Sequence, residues 1–339
     1  MRSLSQKPKH LGIQKVKLNV YLGSAMILYV ERGLMMENFK KVAIVGGTHG
    51  NEFIGIYLIK KFENFPQIIT KSSFETLTVL SNPEAFQVSR RYVDKDLNRC
   101  FSNEILNNSL GATYEENRAK FLNQTLGPKE NPQVDFLLDL HTTTANMGLS
   151  IILLNNHPFN IQLAAYLTSI EQKVKIYSWI EPDKESSFLN SICERGFGIE
   201  VGPIPHGTLN AHIFAQTEKL ILAILDYLDK CNQNNILTTA NTVTIYRHLK
   251  TVDYPKNKHG EIEGMIHPEL QGRDYEELKP GDPLFLTFDD RTIYYEDEEL
   301  VYPVFINEAA YYEKGIAMCL TTKENIEIQY STPTIRYDD

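Results

Sequence analysis

The hydrophobic positions of this 339-residue chain follow two regimes. From Lys41 to about Cys231, short apolar runs alternate with segments of helical period. "KVAIVGG" (41–47) is a run of strand length ending in Gly, and "FIGIYLIKKF" (53–62) follows with helical spacing. "FETLTVL" (74–80) predicts another strand, and "SNPEAF" (81–86) a turn at its Asn-Pro break. Thr113 and Glu116 have the spacing of a capping box that opens a helix through Phe121. "VDFLLDLH" (134–141), "LSIILL" (149–154) and "GFGIEVGP" (196–203) read as further strands. Ile221, Ile224, Leu225 and Leu228 recur at i, i+3, i+4 and i+7, the stripe of an amphipathic helix. Strands alternating with helices imply an α/β fold: a mostly parallel or mixed sheet flanked by helices, with functional groups at the carboxyl ends of its strands.

Past the polar stretch Asn232–Asn235 the period changes. "TVTIYRHL", "PLFLTF", "TIYYE", "LVYPVFI", "IAMCL" and "NIEIQY" are short β-rich runs separated by turn clusters such as "KPGD". They predict a smaller, mainly β unit. The expected division is a leader over 1–40, a catalytic unit over 41–236 and a β-rich capping unit over 237–339. The leader is basic and then mildly apolar, without a cleavage site after a proper apolar core. With Met35-Met36 just before the first clean strand, it reads as disordered chain or an artefact of start-codon choice.

Composition narrows the possible partners. Net charge is −9, so nucleic acid and anionic lipid are repelled, and an anionic substrate needs its own local arginines. The most apolar stretch, Val20–Val30, is too short to span a bilayer and is interrupted by Gly23 and Ser24. Four scattered cysteines without a CxxC pair suit free thiols in a reducing, cytoplasmic setting. Nothing in the sequence fixes the assembly, and a homo-oligomer is compatible with it.

"VAIVGGTHGNE" (42–52) carries the first candidate chemistry. It matches neither a P-loop nor a dinucleotide fingerprint, because no Lys-Ser/Thr and no Gly-x-Gly-x-x-Gly follows the strand. His49 and Glu52, three apart where strand gives way to helix, can converge on one point. His141 ends another strand and so falls on the same rim. Two imidazoles and a carboxylate make up a hydrolytic zinc site that leaves a position open. Asp139, two residues back on that strand, could order His141 from behind. The plain alternative is an ordinary Gly turn with a chance His-x-x-Glu. Glu200 sits in an apolar run flanked by glycines, where a carboxylate is costly without a partner or a task. Burial would raise its pKa toward proton transfer near neutrality; the alternative is a wetted strand-edge glutamate. "SRRYVDKDLNR" (89–99) offers Arg91 and Arg99 as carboxylate forks, or else a solvated loop with internal Asp–Arg pairs.

Taken together, "GGTHGNE", "RYVDKDLNR", "DLHTTTANMG", "GIEVGPIPHG", "HPELQGRDYEELKPGDPLFL" and "VYPVFINEAAYYEK" resemble the aspartoacylase family, a branch of the zinc carboxypeptidase-like hydrolases. The resemblance runs in family order from Lys41 almost to the C-terminus. It implies one Zn2+ per subunit, held by His49, Glu52 and His141. It implies that Glu200 moves the proton from the attacking water to the leaving amine and that Arg91 polarises the amide carbonyl. Asn98, Arg99 and Tyr311 would bind the carboxylate of a small anionic N-acyl amino acid, with Tyr311 reaching in from the β-rich unit. The family reaction is hydrolysis of N-acetyl-L-aspartate to acetate and aspartate. One departure stands out. Members cleaving that substrate carry a Tyr-x-x-x-Arg pair before the catalytic glutamate, whereas here Ser186 and Asn190 occupy those places, with Lys184 and Arg195 as the nearest cations. A flexible ammonium does not reproduce a bidentate fork. A deacylase of neutral or aromatic N-acyl amino acids is therefore the alternative; a peptide-cleaving relative and a non-catalytic metal-binding protein rank below it.

Overall fold

The computed structural model describes residues 21–22, 25–31, 38–108, 113–180, 185–235 and 241–331. In chain order the elements are β1 (Tyr21–Leu22), β2 (Ala25–Glu31), β3 (Lys41–Gly46), α1 (Phe53–Asn64), β4 (Glu75–Leu80), α2 (Pro83–Gln87) and α3 (Asn103–Asn107). Next come α4 (Tyr114–Leu126), β5 (Phe136–Thr142), β6 (Gly148–Leu153), α5 (Pro158–Ile170), β7 (Val174–Ser178), β8 (Gly196–Gly202) and α6 (Ala211–Asn232). The C-terminal part contributes β9 (Thr242–Asp253), β10 (Gly264–Ile266), β11 (Pro283–Thr287), β12 (Thr292–Tyr294), β13 (Tyr302–Val304) and β14 (Ile316–Ser331).

Strand order in the large sheet is β1-β2-β14-β9-β7-β6-β8-β5-β3-β4, with β13 added to β14. Strands β4, β3, β5 and β8 are mutually parallel, and β6 pairs antiparallel to β8. The sheet is thus mixed. Successive residues of β3 face opposite sides. Val42 and Ile44 pack with Leu58 and Phe62 of α1 and Ile224 and Leu228 of α6; Ala43 and Val45 pack with Leu122 and Leu126 of α4. Burial on both faces explains why these strands read as continuous apolar runs.

Three features of the fold add to what the pattern predicts. "SNPEAF" is not a bare turn, for Asn82 accepts from the Ala85 amide and Pro83 occupies the first helical position, so α2 forms. Within the leader, β2 lies parallel to β14, in register from Met26 opposite Ile326 to Glu31 opposite Ser331. Residues 1–20 and 32–37 lie outside the described residues, as does Lys184. Finally, the β-rich part is joined to the large sheet. Tyr177 and Ser178 of β7 pair with Tyr246 and Arg247 of β9, which continues the large sheet, while β10-β11-β12 form a small three-stranded sheet of their own. Among the described residues no helix is long and apolar enough to cross a membrane.

Candidate active site

The carboxyl ends of β3, β5 and β8 meet on one rim. At the end of β3 the chain turns through Gly47, whose φ of +74° suits glycine. At Gly50 an added Cβ would lie 2.1 Å from the Ala85 carbonyl carbon. The glycines of "GGTHG" therefore serve a tight turn and a close approach to α2. Glu52 takes the N-cap position of α1, but its side chain caps nothing there and points instead at the rim.

Glu52 lies between the two histidines. Its Oε1 is 2.6 Å from Nδ1 of His49, its Oε2 is 3.1 Å from Nδ1 of His141, and the two Nδ1 atoms are 3.3 Å apart. All three residues are buried, and their ligand atoms lie within 4.8 Å of one another, a group that could hold a metal ion. The far side of each ring is fixed by a carboxylate. His141 Nε2 is 2.8 Å from Asp139, and His49 Nε2 is 3.0 Å from Asp96. Asp139 in turn accepts from the Thr48 hydroxyl. Pinning Nε2 leaves Nδ1 of both rings turned to the same point, as a His-His-Glu ligand set requires. Burial alone would raise the Glu52 pKa, yet the two imidazoles outweigh it and hold the carboxyl well below its usual range. Burial disfavours charge on His141, but Asp139 and Glu52 more than compensate and raise its pKa well above the ordinary value.

Glu200 of β8 is the register partner of His141 on the adjacent parallel strand. Its Oε2 is enclosed and has no hydrogen-bond partner among the described residues. Burial pushes its pKa up to about 8, against the pull of His141 and Arg91. Arg91 donates to Glu52 and to Asp96, both at 3.3 Å. The loop thus contains the internal Asp–Arg pair that the sequence reading set against a binding role, and yet Arg91 also lines the site. Burial opposes its charge, but Asp96 and Glu52 keep it ionised.

A single cleft of about 550 Å³ is lined by His49, Arg91, Asn98, Arg99, His141, Glu200 and Tyr311 together. Asn98 accepts from the Leu189 amide and lies 3.4 Å from His141. Arg99 donates to the Asn98 carbonyl and lies over the Phe188 ring at 4.5 Å. Asn190 is in the lining, so the place where the resemblance calls for arginine presents an uncharged amide. Arg195 is elsewhere, over the Phe39 ring and 3.7 Å from Asp135. The remaining wall is apolar: Ile152, Leu154, Trp179, Phe188 and Phe305.

Three supporting carboxylates were not anticipated from the sequence. Asp96 lies behind His49 and also accepts from Arg91. Glu115, fully buried in the first turn of α4, accepts from the amides of Val93, Asp94 and Lys95 and so shapes the arginine loop. Glu308 accepts from Thr143 Oγ1 and from the Thr144 and Ala145 amides just past β5, and its other oxygen accepts from Ala310, one residue before Tyr311. A charged residue beside a capping box and one inside "FINEAAYYEK" were the available signals.

Residues 38–228 match the succinylglutamate desuccinylase/aspartoacylase catalytic domain, and residues 241–323 match the AstE/AspA barrel-sandwich hybrid domain. The chain belongs to the succinylglutamate desuccinylase/aspartoacylase family. Within it, the chain is 60% identical to a "Probable aspartoacylase" of Trichodesmium erythraeum (strain IMS101), over 86% of this chain and all of that protein. It is 42% identical to the human "N-acyl-aromatic-L-amino acid amidohydrolase (carboxylate-forming)", over 85% of this chain and 92% of the other. The crystal structure of murine aminoacylase 3 superposes with a TM-score of 0.82 at 40% identity, covering 85% of this chain and 97% of that one. The fold is therefore that of an aspartoacylase-family hydrolase: a large central sheet flanked by helices, with a β-rich C-terminal part.

Proposed function

We propose that the protein is a zinc-dependent amidohydrolase that cleaves N-acyl-L-amino acids to a carboxylate and the free amino acid. The observation that carries this is an enclosed Glu200 oxygen, without a partner among the described residues, beside a His-Glu-His group whose rings are fixed from behind. His49, Glu52 and His141 would hold the ion, and their nitrogen and oxygen donors suit zinc better than magnesium or calcium. Bound there, zinc would acidify water and polarise an acyl oxygen. Glu200 takes the proton of the attacking water and returns it to the amine nitrogen as the C–N bond breaks. Its raised pKa lets it do both near neutrality. Arg91 donates to the oxygen on which charge develops. Arg99, Asn98 and Tyr311 receive the carboxylate of the amino acid.

The side-chain pocket favours an apolar or aromatic amino acid. Arg91 is already shared between Glu52 and Asp96, so Arg99 is left for the carboxylate that every substrate carries. No further arginine lines the cleft among the described residues, and its other wall is hydrocarbon and aromatic ring. N-acetyl-L-aspartate is the second reading, favoured by the 60% identity to a relative of that name. Steady-state kinetics of the zinc-loaded protein on the N-acetyl derivatives of phenylalanine, leucine, alanine and aspartate decide between them. Higher kcat/KM for phenylalanine and leucine supports the first reading; preference for aspartate supports the second. Glu200→Gln should bind zinc normally and lose about 10²–10⁴-fold in kcat. Wild-type turnover by that variant would remove Glu200 from the mechanism.

A further inference from the structure

We propose that Trp179, clamped by His248 of β9, is the specificity-determining residue of this site. Its indole would be the wall on which the amino acid's side chain packs. The proposal rests on the amidohydrolase reading above. It assigns the selection of substrate to the seam between the catalytic sheet and the β-rich part.

Trp179 directly follows β7, the strand at which β9 joins the sheet, and its amide donates to the Leu153 carbonyl at 2.9 Å. It lines the cleft and is only partly buried. One face of the indole stacks on the His248 imidazole, with centroids 4.9 Å apart and planes 11° from parallel. Phe188 meets it edge-on at 6.0 Å. His248 itself is fixed, since its Nδ1 is 2.8 Å from the hydroxyl of the fully buried Tyr177. An indole has two side-chain torsions, and rings on two sides leave it little freedom. The wall is thus preorganised and loses little entropy when a ligand packs on it.

The same stack indicates which part of the substrate the wall meets. Phe188, next to Trp179, lies under the guanidinium of Arg99. The carboxylate anchor and the aromatic wall are therefore neighbours, as the carboxylate and side chain on one α-carbon are. The acyl group lies instead toward the His-Glu-His group and Glu200. His248 acts through Trp179 and is a positioning residue.

Kinetics on the zinc-loaded protein test this with N-acetyl-L-phenylalanine, N-acetyl-L-alanine and N-butyryl-L-alanine. Trp179→Leu should lose about tenfold or more in kcat/KM for the phenylalanine substrate while both alanine substrates change far less. His248→Ala should raise KM for the phenylalanine substrate and leave kcat nearly unchanged. His248→Phe, which restores a ring to stack on, should recover most of that loss. Equal losses on all three substrates, or His248→Phe no better than His248→Ala, would overturn the proposal. So would a Trp179→Leu effect confined to the butyryl substrate, which would give the wall to the acyl group, or a wild type active only on the aspartate derivative. A wild type inactive on every N-acyl amino acid would instead overturn the hydrolase reading. Trp179 is the chain's single tryptophan, so a second measurement needs no turnover. Emission excited at 295 nm should shift saturably when N-acetyl-L-leucine binds Glu200→Gln. Calorimetric binding with no change in emission would place the side chain away from the indole.

Discussion

Asp139 shows how a residue behind the His-Glu-His group can orient one of its rings. Fully buried, it holds His141 Nε2 on one oxygen and the Thr48 hydroxyl on the other. Asp139→Asn should therefore weaken zinc binding about 10–100-fold, read by competition with a chelator of known affinity, while the fold persists. Unchanged affinity would mean that His141 is oriented by packing alone. Asp139 was legible in the sequence because it shares a strand and a face with His141, so period 2 suffices to relate them. Asp96 was not legible in this role: it supports His49 from 47 positions away in the chain, and no local pattern encodes that meeting. Glu200 stood out because a carboxylate in an apolar strand contradicts its surroundings, and one of its oxygens has no partner among the described residues.

At the scale of elements, Glu308 ties the 3-10 turn Ala309–Lys314, which carries Tyr311, to the loop after β5. Removing it takes the carboxylate acceptor from Thr143, Thr144 and Ala145 and frees the turn at Ala310, its second residue. Glu308→Ala should cost about 2–4 kcal/mol of stability and raise KM, measured by denaturant unfolding and by kinetics on N-acetyl amino acids. Glu308→Gln keeps one acceptor and should fall between the two. A variant with full stability and wild-type KM would show the tie to be dispensable. Elements with a clear period were legible from sequence, β3, α1, β5 and α6 among them. Helix α5 was not, for Pro158–Leu167 is buried on nearly every face except at Tyr166 and so has no polar stripe to mark its turns. Strand direction was not legible either: β6 runs against β8, and local pattern carries no sign of that.

Across the whole molecule, the change of pattern near Asn232 marks a change of element type more than a break in the sheet, because β9 and β14 extend the catalytic sheet through β7. Asp274 is a second tie across this seam. Its two oxygens accept from the amides of Asn146, beside the catalytic rim, and of Ile306, before the Tyr311 turn, each at 3.1 Å. Burial pushes its pKa up to about 7 although both amides pull it down. In the unfolded chain an aspartate titrates near 3.9, so between roughly pH 4 and 7 the folded state holds a proton that the unfolded state has released. A group raised in this way contributes its stability in full below the lower value and loses it as pH rises through the upper one. Tm should therefore fall as pH is raised from 5 to 8, through this residue and independently of the His-Glu-His group. Asp274→Asn cannot ionise, and although it gives up one acceptor and starts less stable at pH 5, its Tm should fall less steeply over the same interval. Thermal unfolding of both proteins at matched ionic strength gives the two slopes. Equal slopes would mean that the seam stays ionised throughout, with the two amide donors strong enough to offset the cost of burying the charge.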